Sequence, residues 1–183
     1  MSHAGPGVGS TADRRRRRPR PFNLLAGVLA SVCAAGCATA PPAPSPPQQQ
    51  VLFVCEHGNV KSLMAASYFN QEAKQRGLAV RAISRGSAPD STTVPPTIVL
   101  GLGRDGVDVA TFRPAKVAAS DVASSQRLVL INTELPSDVP VGEVRAERWS
   151  DVPAASTDFA AAREALQRHV RELLDGAYGV RMR

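Results

Sequence analysis

Cys55 is the residue of this sequence whose type and position are best suited to nucleophilic chemistry. It directly follows the apolar run 51–54 and precedes a polar loop that ends at Ser62. The apolar run is short and contains two β-branched valines, which predicts a strand buried on both faces. From Ser62 onward, apolar residues recur at spacings of three and four, which predicts a helix. These residues are Leu63, Ala66, Phe69 and Ala73.

A strand, a loop and a helix N-terminus in this order form an anion-binding arrangement. Backbone N–H groups of the loop, which contains Gly58, point inward, and the helix dipole adds partial positive charge. The same field favours the thiolate of Cys55 over its thiol, so this residue is predicted to be a nucleophile at neutral pH. The alternative is a buried cysteine at the end of a strand that acts as a small hydrophobic residue.

Residues 51–65 resemble the start of the low-molecular-weight protein tyrosine phosphatase superfamily, which includes thioredoxin-coupled arsenate reductases. The loop of this family has a cysteine after the first strand, five further residues, an arginine, and then serine or threonine. Cys55 and Ser62 stand in register with that pattern, and Lys61 occupies the arginine position. The resemblance implies a phosphatase-like hydrolase of phosphomonoesters, with phosphotyrosine among the candidate substrates, that works through a cysteinyl-phosphate intermediate.

Phosphoryl transfer to a thiolate needs a nucleophile, a cradle for the equatorial oxygens and an acid for the leaving group. We assign Cys55 as the nucleophile and predict that Ser62 hydrogen-bonds the thiolate, caps the helix N-terminus, or does both. Lys61 would neutralise charge but cannot form the bidentate fork of an arginine. The predicted phosphate cradle comprises Glu56, His57, Gly58, Asn59, Val60 and Lys61.

In the family the general acid is an aspartate that stands before the last helix. Asp151 lies in the corresponding stretch, between Trp149 and Pro153, and is the first candidate for this role. Its structural alternative is a turn residue near a proline. Asp158 is the second candidate, and its position also predicts the N-terminal cap of the last helix.

Two other functions remain open. An arsenate reductase of the thioredoxin-coupled type needs further cysteines to relay a disulfide, and none follows Cys55, so an external thiol would have to complete the cycle. The second alternative is a non-catalytic module that binds an oxyanion. None of these functions calls for a cofactor or a metal ion.

Strands that alternate with helices predict a parallel sheet with right-handed crossovers. Cys55 would lie at the carboxyl end of a strand, where such sheets bind ligands. The resemblance implies a three-layer α/β/α fold with a four-stranded parallel sheet in the order 2-1-3-4. The predicted strands are 51–54, 79–84, 127–132 and 144–149, and the predicted helices are 62–76, 95–103, 120–125 and 158–175.

The net charge of +6 comes mainly from the N-terminal part of the sequence. Six arginines and one aspartate precede residue 51, which is +5, whereas residues 51–183 hold 16 basic and 15 acidic side chains, which is +1. The basic balance is therefore that of one segment and does not indicate a nucleic-acid partner.

The arginine run is followed by a short apolar stretch and small residues, which is typical of a secretory signal. Residues 34–37 resemble a bacterial lipobox, which implies that Cys37 becomes the lipidated first residue on the periplasmic side of the cell envelope. The alternatives are a plain signal or uncleaved anchor, or a misassigned start with a cytoplasmic protein. The predicted organisation is a signal over 1–37, a proline-rich tether over 38–50 and a phosphatase-like domain over 51–183.

Overall fold

The computed structural model describes residues 49–179, and the predicted signal and lipidation site lie outside this range. Within it, four parallel strands form one sheet in the order β2-β1-β3-β4, as the resemblance implied. The strands are β1 (Gln49–Cys55), β2 (Val80–Gly86), β3 (Arg127–Ile131) and β4 (Arg145–Trp149). The helices are α1 (Lys61–Gln75), α2 (Pro96–Arg104), α3 (Ala119–Ala123) and α4 (Phe159–Tyr178).

The central strand β1 is apolar at successive positions because both of its faces are covered. Val51 and Phe53 pack into a core that also contains buried residues of α1, α2 and α4. Leu52 and Val54 point to the opposite face, into a smaller core that includes Val122 of α3. These two cores make the three-layer α/β/α arrangement that the resemblance implied.

The first strand begins two residues earlier than predicted, inside the segment assigned to the tether. Gln50 is buried, and its side chain accepts a hydrogen bond from Arg81 and donates one to Ser125. A polar residue so far inside the fold is satisfied by side chains distant in sequence, which hydrophobic patterning does not reveal.

The start of α1 corrects one of the two roles considered for Ser62. The helix begins at Lys61, the N-cap position belongs to Val60, and no side chain caps this end. Ser62 is therefore a fully buried residue of the first helical turn rather than the N-cap. By contrast, Asp158 does cap α4, since its carboxylate accepts a hydrogen bond from the Ala161 N–H at 2.9 Å.

Across residues 49–179, none of the helices has the length and apolar character needed to cross a membrane.

Candidate active site

Cys55 ends β1, and its sulfur lies among hydrogen-bond donors at the start of α1. The Gly58 N–H donates to Cys55 Sγ at 3.3 Å, and Ser62 Oγ lies 3.0 Å from the same atom. The Ser62 hydroxyl has a second acceptor in reach, the Arg85 carbonyl at 3.2 Å. The sulfur therefore accepts a backbone hydrogen bond beside the start of α1, an arrangement that is suited to a nucleophilic cysteine.

Ser84 of β2 joins the loop to the helix behind the cysteine. Its buried hydroxyl lies 2.9 Å from Ser62 Oγ and 3.0 Å from the Gly58 carbonyl oxygen. Because Ser84 and Ser62 are both buried, these contacts hold the site rigid from the sheet side. Sequence reasoning did not select Ser84.

The loop after Cys55 is pressed against the end of β2, and two glycines make this approach possible. Gly58 has φ +75°, and a Cβ there would lie 2.5 Å from the Gly86 nitrogen. A Cβ on Gly86 would lie 2.8 Å from the His57 carbonyl carbon. Backbone hydrogen bonds from residues 87 and 88 to the carbonyls of Cys55 and Glu56 fix the same contact.

Asn59 anchors the far side of the loop. Only 4% of this residue is exposed, and its Nδ2 donates to the Thr93 carbonyl at 2.8 Å. Its Oδ1 is buried and has no hydrogen-bond partner within the part of the chain that the structure describes. Asn59 therefore belongs to the loop scaffold and links it to the segment before α2.

Lys61 directs its ammonium group across the mouth of the loop, toward the ends of β3 and β4. Nζ donates to Asn132 Oδ1 at 2.8 Å and to the Val152 carbonyl at 3.0 Å. Partial burial lowers the pKa of Lys61 below its ordinary value, and the charge of Cys55 acts in the opposite direction. Both acceptors are neutral, so they orient the ammonium without cancelling its charge.

These groups surround a cavity of about 360 Å³. One wall is the loop after β1, and the opposite wall is formed by residues that follow β3 and β4. The lining residues are Cys55, Glu56, His57, Val60, Lys61, Ile131, Asn132, Ala154, Ala155 and Ser156.

The imidazole of His57 stands between two carboxylates at the cavity. Its Nδ1 lies 3.1 Å from an Asp90 oxygen without forming a hydrogen bond to it, and its Nε2 lies 3.7 Å from a Glu56 oxygen. Among residues 49–179, no group of three or more histidine, cysteine, aspartate or glutamate side chains could hold a metal ion.

The structure does not bring Asp151 into the cavity. Its two carboxylate oxygens contact α4, at 2.7 Å from His169 Nε2 and 2.8 Å from Arg168 Nη2. The hydrogen bond from His169, together with the charge of Arg168, lowers the pKa of Asp151 below its ordinary value. This is the opposite of what a general acid needs, because the proton to be donated must be held near neutral pH. The role of Asp151 as the acid stays a prediction that requires the side chain to leave α4.

The cavity thus brings together Cys55 and four residues of the predicted cradle, and it adds Asn132. The four are Glu56, His57, Val60 and Lys61, whereas Gly58 and Asn59 do not line the cavity. That residue follows β3 directly, at the carboxyl edge of the sheet and beside β1. The rule that ligands bind beyond the carboxyl ends of parallel strands could have selected it from the sequence.

A family model described as low molecular weight phosphotyrosine protein phosphatase matches residues 50–147. The chain belongs to this family. Its membership makes it a phosphatase-like hydrolase, with a phosphoester or another oxyanion as the fitting class of substrate. No match was found among curated protein sequences.

Solved structures with the same fold include phosphatases and arsenate reductases. A thioredoxin-dependent arsenate reductase of Corynebacterium glutamicum is 21% identical with a TM-score of 0.61, and the match covers 72% of this chain but only 63% of that one. YfkJ of Bacillus subtilis is 19% identical with a TM-score of 0.66, over 75% of this chain and 99% of that one. An arsenate reductase of Archaeoglobus fulgidus is 27% identical with a TM-score of 0.52, and the match covers 68% of this chain and 98% of that one.

Proposed function

We propose that this protein hydrolyses phosphomonoesters through a phosphorylated Cys55. The observation that carries the proposal is the placement of the Cys55 sulfur. It accepts from the Gly58 N–H at 3.3 Å, lies 3.0 Å from Ser62 Oγ and lines the same cavity as the Lys61 ammonium. A nucleophile, an oriented donor and a cation at one cavity supply two of the three requirements of phosphoryl transfer, the nucleophile and the cradle for the anion.

The reaction has two steps at Cys55. In the first, the thiolate attacks phosphorus, an S–P bond forms, and the bond from phosphorus to the leaving oxygen breaks. In the second, water attacks the same phosphorus, the S–P bond breaks, and inorganic phosphate leaves while one proton of the water passes to solvent or a nearby base. The thiolate is regenerated, so Cys55 is unchanged after each cycle.

The cavity favours substrates whose leaving group is stable without a strong acid. Asp151 is bound to α4, and Glu56 carries the one carboxylate among the residues that line the cavity. A phenol such as that of tyrosine has a pKa of about 10 and leaves more easily than an alkyl alcohol. We therefore propose aryl phosphates, phosphotyrosine among them, as the preferred substrates.

Arsenate reduction is the second candidate, and the arsenate reductases among the structural neighbours favour it. Here the thiolate of Cys55 would displace water from arsenate, forming an S–As bond. An external thiol would then attack Cys55 Sγ, giving a mixed disulfide and arsenite, in which arsenic is reduced from +5 to +3. A second external thiol would reduce the disulfide. Cys55 is the one free cysteine within residues 49–179, so both electrons must come from outside.

The deciding experiment measures p-nitrophenyl phosphate turnover by the full-length protein. We expect no turnover for Cys55→Ser, and a loss of more than about tenfold for Lys61→Ala, which corresponds to about 1.4 kcal/mol of barrier. Lys74→Ala is the matched control, because this lysine lies on the exposed part of α1 and does not line the cavity.

Two results would contradict the proposal. Formation of arsenite from arsenate and a small dithiol, without release of phosphate from any phosphomonoester, would establish the second candidate instead. If neither substrate reacts while inorganic phosphate still protects Cys55 from alkylation, the site is a non-catalytic anion-binding module.

As to location, we propose that the protein acts on the periplasmic side of a bacterial envelope, held by lipid on Cys37.

A further inference from the structure

Asn132 is held by contacts with two other segments, the end of β4 and the start of α1. Its backbone N–H donates to the Trp149 carbonyl at 3.0 Å, and its side-chain Nδ2 donates to the Ser150 carbonyl at 2.8 Å. Its Oδ1 accepts from Lys61 Nζ at 2.8 Å. The opposite orientation of the amide would direct a donor at an ammonium and an acceptor at a carbonyl, so these contacts determine which way the side chain faces.

The backbone of Asn132 also has an unusual conformation. Its φ of +49° makes it the one non-glycine residue with a positive φ in the part of the chain that the structure describes. Asparagine is among the few residues that adopt this region, at some cost in free energy, and such residues concentrate at functional sites. The turn places the side chain at the cavity instead of continuing the strand.

Lysine at this position of the loop creates a requirement that arginine does not have. An ammonium is a compact charge at the end of a flexible four-carbon stem, whereas a guanidinium is a planar fork. Two of the three N–H groups of Lys61 are used by Asn132 and the Val152 carbonyl. One N–H remains for an oxygen of the bound anion.

We propose that Asn132 is a positioning residue that holds the Lys61 ammonium over the oxyanion site at Cys55. This inference rests on the proposed function and adds a residue to it. Because Oδ1 is a neutral acceptor, it orients the ammonium and leaves the positive charge available to the anion. A carboxylate in the same place would orient the ammonium equally well but would cancel that charge.

The test is a double-mutant cycle in the full-length protein. Asn132→Gly removes the amide and is compatible with the positive φ. We measure how strongly inorganic phosphate protects Cys55 from iodoacetamide, which needs no turnover and therefore still reports if the proposed function fails. We expect Asn132→Gly to weaken phosphate protection by about tenfold when Lys61 is present, and by less than about twofold in the Lys61→Ala background.

Asn132→Asp separates orientation from charge. We expect it to weaken phosphate protection at least as much as Asn132→Gly, because the new carboxylate neutralises Lys61. Ser137→Gly, at an exposed position of the connection that follows β3, is the control and should not change protection. Equal losses for Asn132→Gly with and without Lys61, or phosphate protection of wild-type strength in Asn132→Asp, would overturn the proposal.

Discussion

At the scale of a single residue, Gly58 determines the shape of the loop that connects Cys55 to α1. Its φ of +75° is unfavourable for a side-chain-bearing residue, and the space beside it is filled by the backbone of Gly86. Its N–H is also one of the donors to Cys55 Sγ. The conformation of this glycine therefore controls both the packing of the loop on β2 and the hydrogen bonding of the Cys55 sulfur.

Replacing Gly58 by alanine should lower the free energy of unfolding more than the same change at a glycine in open space. Gly142 has a similar φ of +60°, but a Cβ there would meet nothing within 4 Å, so it isolates the backbone strain. We expect Gly142→Ala to lower the free energy of unfolding by about 1 kcal/mol and to leave Cys55 protection by phosphate unchanged. Gly58→Ala should lower the free energy of unfolding further and abolish the protection of Cys55 by phosphate, because the loop must move away from β2.

Urea denaturation supplies the two unfolding free energies, and alkylation of Cys55 reports on the site. Similar losses of stability for both variants, with phosphate protection retained in Gly58→Ala, would show that the close approach to Gly86 is not needed for the anion site.

At the scale of elements, α4 holds the loop between β4 and α4 through the Asp151 carboxylate. The imidazole of His169 stacks on Trp149, with the ring centroids 4.7 Å apart, while Nε2 contacts Asp151. The loop that follows supplies the Val152 carbonyl to Lys61 and three cavity-lining residues. Asp151 therefore connects the last helix to one wall of the cavity.

We expect Asp151→Asn and Arg168→Ala to reduce turnover of aryl and alkyl phosphates by the same factor, up to about fivefold. This corresponds to about 1 kcal/mol, the most that an exposed ion pair usually contributes. Arg171→Ala, on an exposed part of α4, is the control. A selective loss on alkyl phosphates in Asp151→Asn alone, by about a hundredfold or more, would instead identify Asp151 as the general acid.

The same contact has a definite pH dependence. Because the pKa of Asp151 is lowered in the folded protein, its ionised form stabilises the fold above the ordinary value of about 3.9, and this contribution is lost as the pH falls through the folded-state value. The stability difference between wild type and Asp151→Asn should therefore be constant near neutral pH and disappear in acid. A stability difference that does not decrease at all as the pH is lowered through the acid range would argue against an ionic contact.

At the scale of the whole molecule, the proposed location depends on the segment before residue 49. The arginine run, the apolar stretch and residues 34–37 together favour export and lipid attachment at Cys37. We expect metabolic labelling with a fatty acid to be lost in Cys37→Ala. Cys33→Ala, four residues earlier, is the matched control and should keep the label. Full labelling of Cys37→Ala, or a soluble cytoplasmic protein that retains Met1, would contradict this proposal.

Local pattern in the sequence determined the first strand, the loop and the first helix of this protein, and it selected Cys55 as the candidate nucleophile. Residues 51–54 are apolar on both faces, α1 shows a helical period, and Cys55 stands between them, so short-range information is enough to predict an anion site. Alternation of strands and helices predicted a parallel sheet, and the resemblance supplied its strand order, which the structure confirmed.

The tertiary structure alone decided which groups complete the site. Lys61 meets Asn132 and Val152, which are 71 and 91 residues away, and Ser62 meets Ser84, 22 residues away. The carboxylate of Asp151 contacts α4, and its place two residues before a proline does not predict this contact. Contacts between residues far apart in sequence depend on how the elements pack. Hydrophobic periodicity predicts which face of an element is buried, but it does not predict which residue an exposed side chain contacts.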